Sequence, residues 1–475
     1  MIAAVICDRL IAGGTVVTSA GVRPADVAVA GGRIAAVLAP AATVQAAEVV
    51  DARGLHILPG VIDTHVHTRH PGVPEREDFL SGTSAAAAGG ITTLFEMPIA
   101  KLPTNSGDAL TRRAALLEAD ALVDFALYGG AGHENLEAIA GQAAAGAIAF
   151  KTFLQPPPPT RLDEFFGLWC TDVVALREVM RAVAATGLRH CFHCEYTPAF
   201  AALQRQLAAA GRRTGRAHAE SRPAIVEDLS VAMVLALAEE LGAAVQVVHC
   251  SSPRAARLAA DARARGVDAT VETCPPYLFF TDEALDRLGP YAKCNPPLRD
   301  AATRDRLRAA VRAGLVQVIG TDHSPFLAAD KAAGADDIFA APPGLAGLEV
   351  LVPLMLTAVH DGWLTLPAVA ALLSENAARL FRLPAKGRIA PGADADLTLV
   401  DLDATWTYDH RTAVTKARDN MRIYDGVTLH GRVVHTIVRG ASAYRDGAVV
   451  GRRGDGRVLR PVDSAVATTA APATP

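Results

Sequence analysis

The sequence predicts a (β/α)8 TIM barrel of the α/β class, joined to a small discontinuous β-sandwich built from both ends of the chain. Two observations carry this. Eight short β-rich apolar runs alternate with Ala/Leu/Arg/Glu helical segments, the texture of a parallel sheet wrapped by helices. Outside them, at both ends, apolar and polar residues alternate around glycine-containing turns, the pattern of short hairpins. A doubly wound sheet is the competing architecture, but no Gly-rich phosphate fingerprint follows the first run.

In chain order, residues 1–58 read as the first part of the sandwich, with LIAGGTVVTSAG, DVAVAGGRIAAVL and AEVVDARGLHILPG as hairpin segments. Residues 59–385 form the barrel. Its strands are GVIDTHVH, GITTLFEM, DFALYGG, AIAFKTFL, RHCFHCE, VQVVHC, DATVETC and VQVIGTDH. Residues 386–460 return to hairpin grammar in GRIAPGADADLTLVDLD and GRVVHTIVRGASAYRDGAVVG, completing the sandwich. Residues 461–475 hold few large apolar side chains and are expected to be a disordered tail.

Composition excludes several classes of function. The chain has 475 residues, 51% hydrophobic and 20% charged, enough to bury a large core. A net charge of -4 offers no electrostatic footprint for nucleic acid or an anionic membrane. No apolar run of about 18 uncharged residues is present, so no membrane span is expected. Seven cysteines in so long a chain are not a disulfide scaffold, and the first residues lack a basic signal-peptide region. The expected location is the cytoplasm. Cys191 and Cys194 have CxxC spacing but point to opposite faces of a strand, so they read as core residues.

The chemistry lies where the predicted strands end, because barrel active sites form at strand C-termini. Strand one ends His65-Val66-His67, with both imidazoles on one face. Strand four carries Lys151, strand five ends His193-Cys194-Glu195, strand six ends His249-Cys250, and strand eight ends Thr321-Asp322-His323. Each residue alone has an ordinary explanation: a core histidine, a snorkelling lysine, a helix-capping aspartate. Their joint placement at one end of one barrel points instead to metal ligation.

The ordered motifs GVIDTHVHTRHPG, GGITTLFEMP, FKTFL, HCE, VVHCSSP, ETCPPYL, KCNPPLRD, GTDHSP, GLAGLE, ENAARLF and KGRIAPGADADLTLVD resemble the amidohydrolase superfamily. The likeness is to its cyclic-amidase branch of allantoinases, dihydroorotases and hydantoinases (dihydropyrimidinases). The resemblance implies two divalent metal ions, zinc first, with manganese or cobalt as alternatives. His65, His67 and Asp322 would serve the first ion, and His193 and His249 the second. Lys151 would carry a CO2-derived carbamate that bridges them. It further implies a hydroxide held between the ions, attack on a ring amide or ureide carbonyl, and Asp322 as the proton shuttle. Arg69 and Asn295 would contact a small cyclic amide or ureide, and the chain would form a homo-oligomer, a dimer or tetramer.

The motifs discriminate less well among substrates. Arg69 matches the dihydroorotase form of the strand-one motif, where arginine binds the substrate carboxylate. Two further dihydroorotase anchors are replaced by Ile99 and Phe326. EMPIAKLPT, AKCNPPLRD and GLAGLE look closer to allantoinase, and the tyrosine of the hydantoinase pattern is Pro156 here. Allantoinase-like ring opening is therefore the leading expectation, with dihydroorotase or hydantoinase activity as alternatives and a catalytically inactive scaffold as the reading from another class. The run PPPPTR (156–161) is a stiff segment, either a surface loop or a pocket wall. His218 to Glu220 read as a helix cap.

Overall fold

The computed structural model describes residues 5–40 and 44–462. The tail expected to be disordered therefore lies, from residue 463 onward, outside the described residues. Val61–Val66, Ile91–Glu96 and Asp124–Leu127 are the first three barrel strands, and the third continues after Tyr128 as Gly129–Gly130. Strands four to eight are Phe150–Phe153, His190–His193, Val245–Val247, Ala269–Thr273 and Val318–Ile319. All neighbouring pairs are parallel. The ring closes where Val66 bridges His323 in parallel and the His67 amide donates to the His323 carbonyl at 2.8 Å. The eight runs expected from sequence are thus the eight strands of one barrel.

Strands one, two and four are buried along their full length, which is why their sequences read as apolar runs rather than alternating ones. Inside the barrel Ile62, Phe95, Tyr128, Cys191 and Val318 pack with Phe381, while Phe79, Leu117, Val179, Val234 and Leu351 belong to the larger core around it. Removing each such side chain from water contributes roughly 1.5–3 kcal/mol.

The appendage has two sheets. One orders Arg33–Leu38, Asp26–Ala30, Val5–Ala12 and Val44–Asp51. The other joins the two ends of the chain: Leu397–Thr407 pairs antiparallel with His56–Pro59 on one side and Thr428–Val438 on the other. Ile11, Val27, Ile57, Leu397 and Ile437 share one core, so neither terminal segment buries its apolar face without the other. Lys386 fastens appendage to barrel. Its ammonium bonds Asp124, the first residue of strand three, and Asp396, 2.6 Å away beside Leu397. Lys386 and both carboxylates are buried.

Among the described residues no helix is long and apolar enough to cross a membrane. All seven cysteines are free and buried. His218 corrects the capping expectation. It lies inside the helix Gly215–Ser221, and its buried Nε2 meets the Cys294 carbonyl at 2.9 Å. A side chain committed to a tertiary contact cannot also turn back onto the helix end.

Candidate active site

The strand ends bring the six candidate ligands to one mouth of the barrel. Asp322 Oδ1 lies 3.2 Å from His65 Nε2 and 3.3 Å from His67 Nε2. The candidate ligand atoms of these three residues all fall within 4.8 Å of one another. His193 Nδ1 and His249 Nε2 face each other at 2.9 Å. The His65 and His249 ring centroids are 5.3 Å apart, so the two groups adjoin. Lys151 is fully buried, and its Nζ has no hydrogen-bond partner among the described residues.

The donor set fits divalent cations. Buried imidazole nitrogens of His65, His67 and His249 and the buried Lys151 amine, without hydrogen-bond partners among the described residues, would be costly in a site meant to stay bare. Burial holds the His67 imidazole near 3, well below its ordinary value, and pushes His193 and His249 down as well. Burial also depresses the Lys151 ammonium. The three imidazoles are therefore neutral lone-pair donors at physiological pH, and burial favours the free amine of Lys151. Burial would raise the Asp322 carboxyl, but the facing His65 and His67 imidazoles override it and hold it near 2.

Partners behind the imidazoles aim them. Glu272, on strand seven, accepts from His65 Nδ1 at 2.7 Å and from Thr64 Oγ1 at 2.6 Å. Glu195 Oε2 lies 2.9 Å from His193 Nε2 and takes Arg222 Nη1 at 2.5 Å. Carboxylates on the outer nitrogens fix which ring nitrogen faces a metal. Asp63 accepts from the amides of His65 and Thr321 at 3.1 and 3.0 Å, tying strand one to strand eight. Gly320, just before Thr321, passes close: an added Cβ would lie 3.2 Å from Asp63 Oδ1 and 3.3 Å from the Glu272 carboxyl carbon. The motif reading missed Glu272, Glu195, Arg222 and Asp63. The signal available for Glu195 was an acid two residues after His193 at a strand end; for Glu272 it was an acid inside the apolar strand run DATVETC.

The backbone here is strained. Arg69, His249 and Asp322 have φ of 58°, 38° and 49°, left-handed values that cost non-glycine residues on the order of 1–3 kcal/mol each. Bonding holds Arg69 in place. Its amide and that of Thr68 donate to Glu96, whose carboxylate is bonded by the buried Arg113 at 2.6 Å.

Beside the candidate ligands lies a cavity of about 100 Å³. Arg69 and Asn295, which the resemblance implies as substrate contacts, are among the residues lining it. Arg69 Nη2 donates to Ser324 Oγ at 2.6 Å, while its buried Nε and Nη1, and Asn295 Oδ1, have no hydrogen-bond partner among the described residues. Phe326 lies against the Arg69 guanidinium at 4.3 Å. The proline run meets both readings: Pro156, Pro158, Pro159 and Thr160 are exposed, while Pro158 and Arg161 line the cavity with Phe165.

A sequence model of the amidohydrolase family matches residues 56–448. The chain is 38% identical to the allantoinase of Deinococcus radiodurans over 459 residues, 96% of this chain and 99% of that one. It is 41% identical to the allantoinase of Rubrobacter xylanophilus, covering 96% and 98%. This chain belongs to the amidohydrolase family. It is an enzyme, a hydrolase of C–N bonds, and its likeness is to the cyclic-amidase branch. The L-hydantoinase of Paenarthrobacter aurescens is 34% identical over 455 residues, 95% of this chain and 98% of that one. The solved L-hydantoinase (dihydropyrimidinase) of Arthrobacter aurescens superimposes with a TM-score of 0.92 at 33% identity, covering 96% and 100%.

Proposed function

We propose that this amidohydrolase opens the ring of a small cyclic ureide, with allantoin as the leading substrate, using two divalent ions. One observation carries the metal-dependent reading: four imidazoles, an unpartnered buried lysine and a carboxylate converge at the strand ends. The choice of allantoin is supported by relatives of that name at 38% and 41% identity over nearly the whole chain.

In this reading His65, His67 and Asp322 hold one ion and His193 and His249 the other, zinc first, with manganese or cobalt as alternatives. When bound, the ions supply Lewis acidity and lower the pKa of water towards about 7. Lys151 carries a carbamate: its neutral amine adds to the carbon of CO2 and releases a proton, converting an unpaired amine into an anionic oxygen donor. Asp322, ionised at neutral pH, takes the proton of the attacking water and delivers it to the ring nitrogen as the C–N bond breaks. Arg69 and Asn295 orient the ring through the polar atoms left unpartnered in the cavity.

Hydantoinase activity is the second reading, favoured by the fit to the solved L-hydantoinase. Dihydroorotase activity is disfavoured, since Ile99 and Phe326 are apolar where its carboxylate anchors would stand. An inactive scaffold is disfavoured because all six candidate ligands are present and converge. The free cysteines support a reducing cytoplasm as the place of action. A homo-oligomer, dimer or tetramer, belongs to the same reading and is tested by sedimentation.

The deciding experiment is a substrate panel with zinc, manganese or cobalt: allantoin, hydantoin, dihydrouracil and dihydroorotate. Allantoin is expected to give the highest kcat/KM. Preferential turnover of dihydroorotate, or turnover of none, would overturn the proposal.

A further inference from the structure

Arg161 is a cavity-lining residue that the metal-site reading does not use. It stands at the end of the proline run after strand four, and its guanidinium is fixed from several sides. Nε donates to Glu164 Oε2 at 2.7 Å, and Nη2 donates to the same oxygen. The Phe165 ring lies 5.1 Å from the guanidinium carbon and packs edge-on against Phe153 of strand four. Glu164 is anchored in turn by the Lys101 ammonium, 3.2 Å away. Arg161 is therefore ordered before any ligand arrives, which limits the entropy lost on binding. Nη1 is left without a hydrogen bond among the described residues.

Arg69 brings further free donors to the same cavity. With Nη2 on Ser324, its buried Nε and Nη1 have no hydrogen-bond partner among the described residues. The wall between is largely apolar, from Ile99, Phe153, Pro158 and Phe165. Buried N–H donors set in such a wall favour a ligand that brings acceptors and penalise one that covers them with hydrocarbon.

We infer that Arg161 is a specificity-determining residue. With Arg69 it selects rings whose exocyclic substituent presents an oxygen acceptor, a urea carbonyl or a carboxylate, over rings with an apolar substituent. This rests on the ring-opening function proposed above. Guanidinium forks suit such oxygens geometrically, and sites built to hydrogen-bond a substrate reject analogues lacking the acceptor far more strongly than apolar pockets reject a hydroxyl.

The test uses the full-length, metal-loaded enzyme and three rings: allantoin, 5-(carboxymethyl)hydantoin and 5-benzylhydantoin. The wild type is expected to favour an acceptor-bearing ring over the benzyl ring by at least about tenfold in kcat/KM. Arg161→Met should reduce that preference by about tenfold or more, through loss on the acceptor rings. The ring that loses more identifies the acceptor, neutral carbonyl or carboxylate. Arg161→Lys, which keeps the charge but not the fork, should lose at least about threefold on allantoin relative to benzylhydantoin, and it decides the matter if the methionine variant does not fold. Leu162→Ala, at a neighbouring exposed side chain, should leave the preference unchanged and so separates specificity from loop packing. A wild type that prefers the benzyl ring, or an unchanged preference in the Arg161 variants, overturns the inference while ring opening stands. Turnover of none of the three rings with zinc, manganese or cobalt overturns both.

Discussion

Replacing Glu272 with glutamine perturbs the site without replacing a candidate ligand. Its Oε1 accepts from His65 Nδ1 at 2.7 Å and from the His249 amide at 3.2 Å. Its Oε2 accepts from Thr64 Oγ1 at 2.6 Å and from Gln246 Nε2 at 3.3 Å. A carboxylate accepts at both oxygens, whereas an amide has one accepting oxygen and one donating NH2. Glutamine fills the same space, so no cavity opens. Whichever way it turns, one pair of donors meets an NH2 group. If the pair is His65 and the His249 amide, the ring loses the bond that leaves its Nε2 lone pair towards Asp322. Losing an outer partner of this kind costs about 10–100-fold in metal affinity or activity, which corresponds to about 1.4–2.8 kcal/mol. The assay is metal retained during dialysis against graded chelator, alongside kcat/KM at saturating metal. A folded Glu272→Gln protein with wild-type metal affinity and wild-type kcat/KM would refute the reasoning.

Other expectations follow from the same geometry. Lys386→Met leaves the buried Asp396 without its cationic partner and Asp124 with Arg439 alone, and should cost about 3–5 kcal/mol in denaturant unfolding; a loss below 1 kcal/mol would contradict the clamp. The three aspartates around Lys386 raise its pKa, against the effect of burial, above the unfolded-state 10.5. Its stabilisation is therefore complete below about pH 10.5 and lost as pH climbs through the folded-state value, so the variant should show a shallower alkaline decline than the wild type. Gly320→Ala places a methyl against Asp63, Glu272 and His65, and should lower kcat/KM more than it lowers stability, by kinetics and unfolding measured together. Exhaustive chelation should abolish ring opening, and added zinc, manganese or cobalt should restore it.

Much of this arrangement was legible because barrel strands are local objects. The run GVIDTHVH declares a buried strand, and the two-residue period places His65 and His67 on one face without knowledge of the rest of the fold. The same holds for His193, His249 and Asp322, each at the end of its own apolar run, and for Lys151, a lone charge inside the run AIAFKTFL. The supporting contacts were not legible, because they join residues far apart in sequence: Glu272 is 207 residues from His65, and Lys386 is 262 from Asp124. No periodicity reports such pairings. Arg161 was hidden for another reason. A proline run specifies a stiff path but not its direction, and only packing of Phe165 on Phe153 brings the arginine to the cavity. The His218 expectation failed because a polar residue near a helix boundary was read as local when its partner, the Cys294 carbonyl, lies 76 residues on.

Lys151 is the organising residue of the proposed two-metal centre. Its most direct test is the metal content of dialysed wild type and Lys151→Ala, with ring-opening activity measured on the same samples. The wild type should hold close to two divalent ions per chain. The variant should hold fewer and be inactive, with part of its activity returning on addition of short carboxylic acids that replace the missing oxygen donor. One ion per chain in a fully active wild type, or a Lys151→Ala variant that keeps both its metal and its activity, would contradict it.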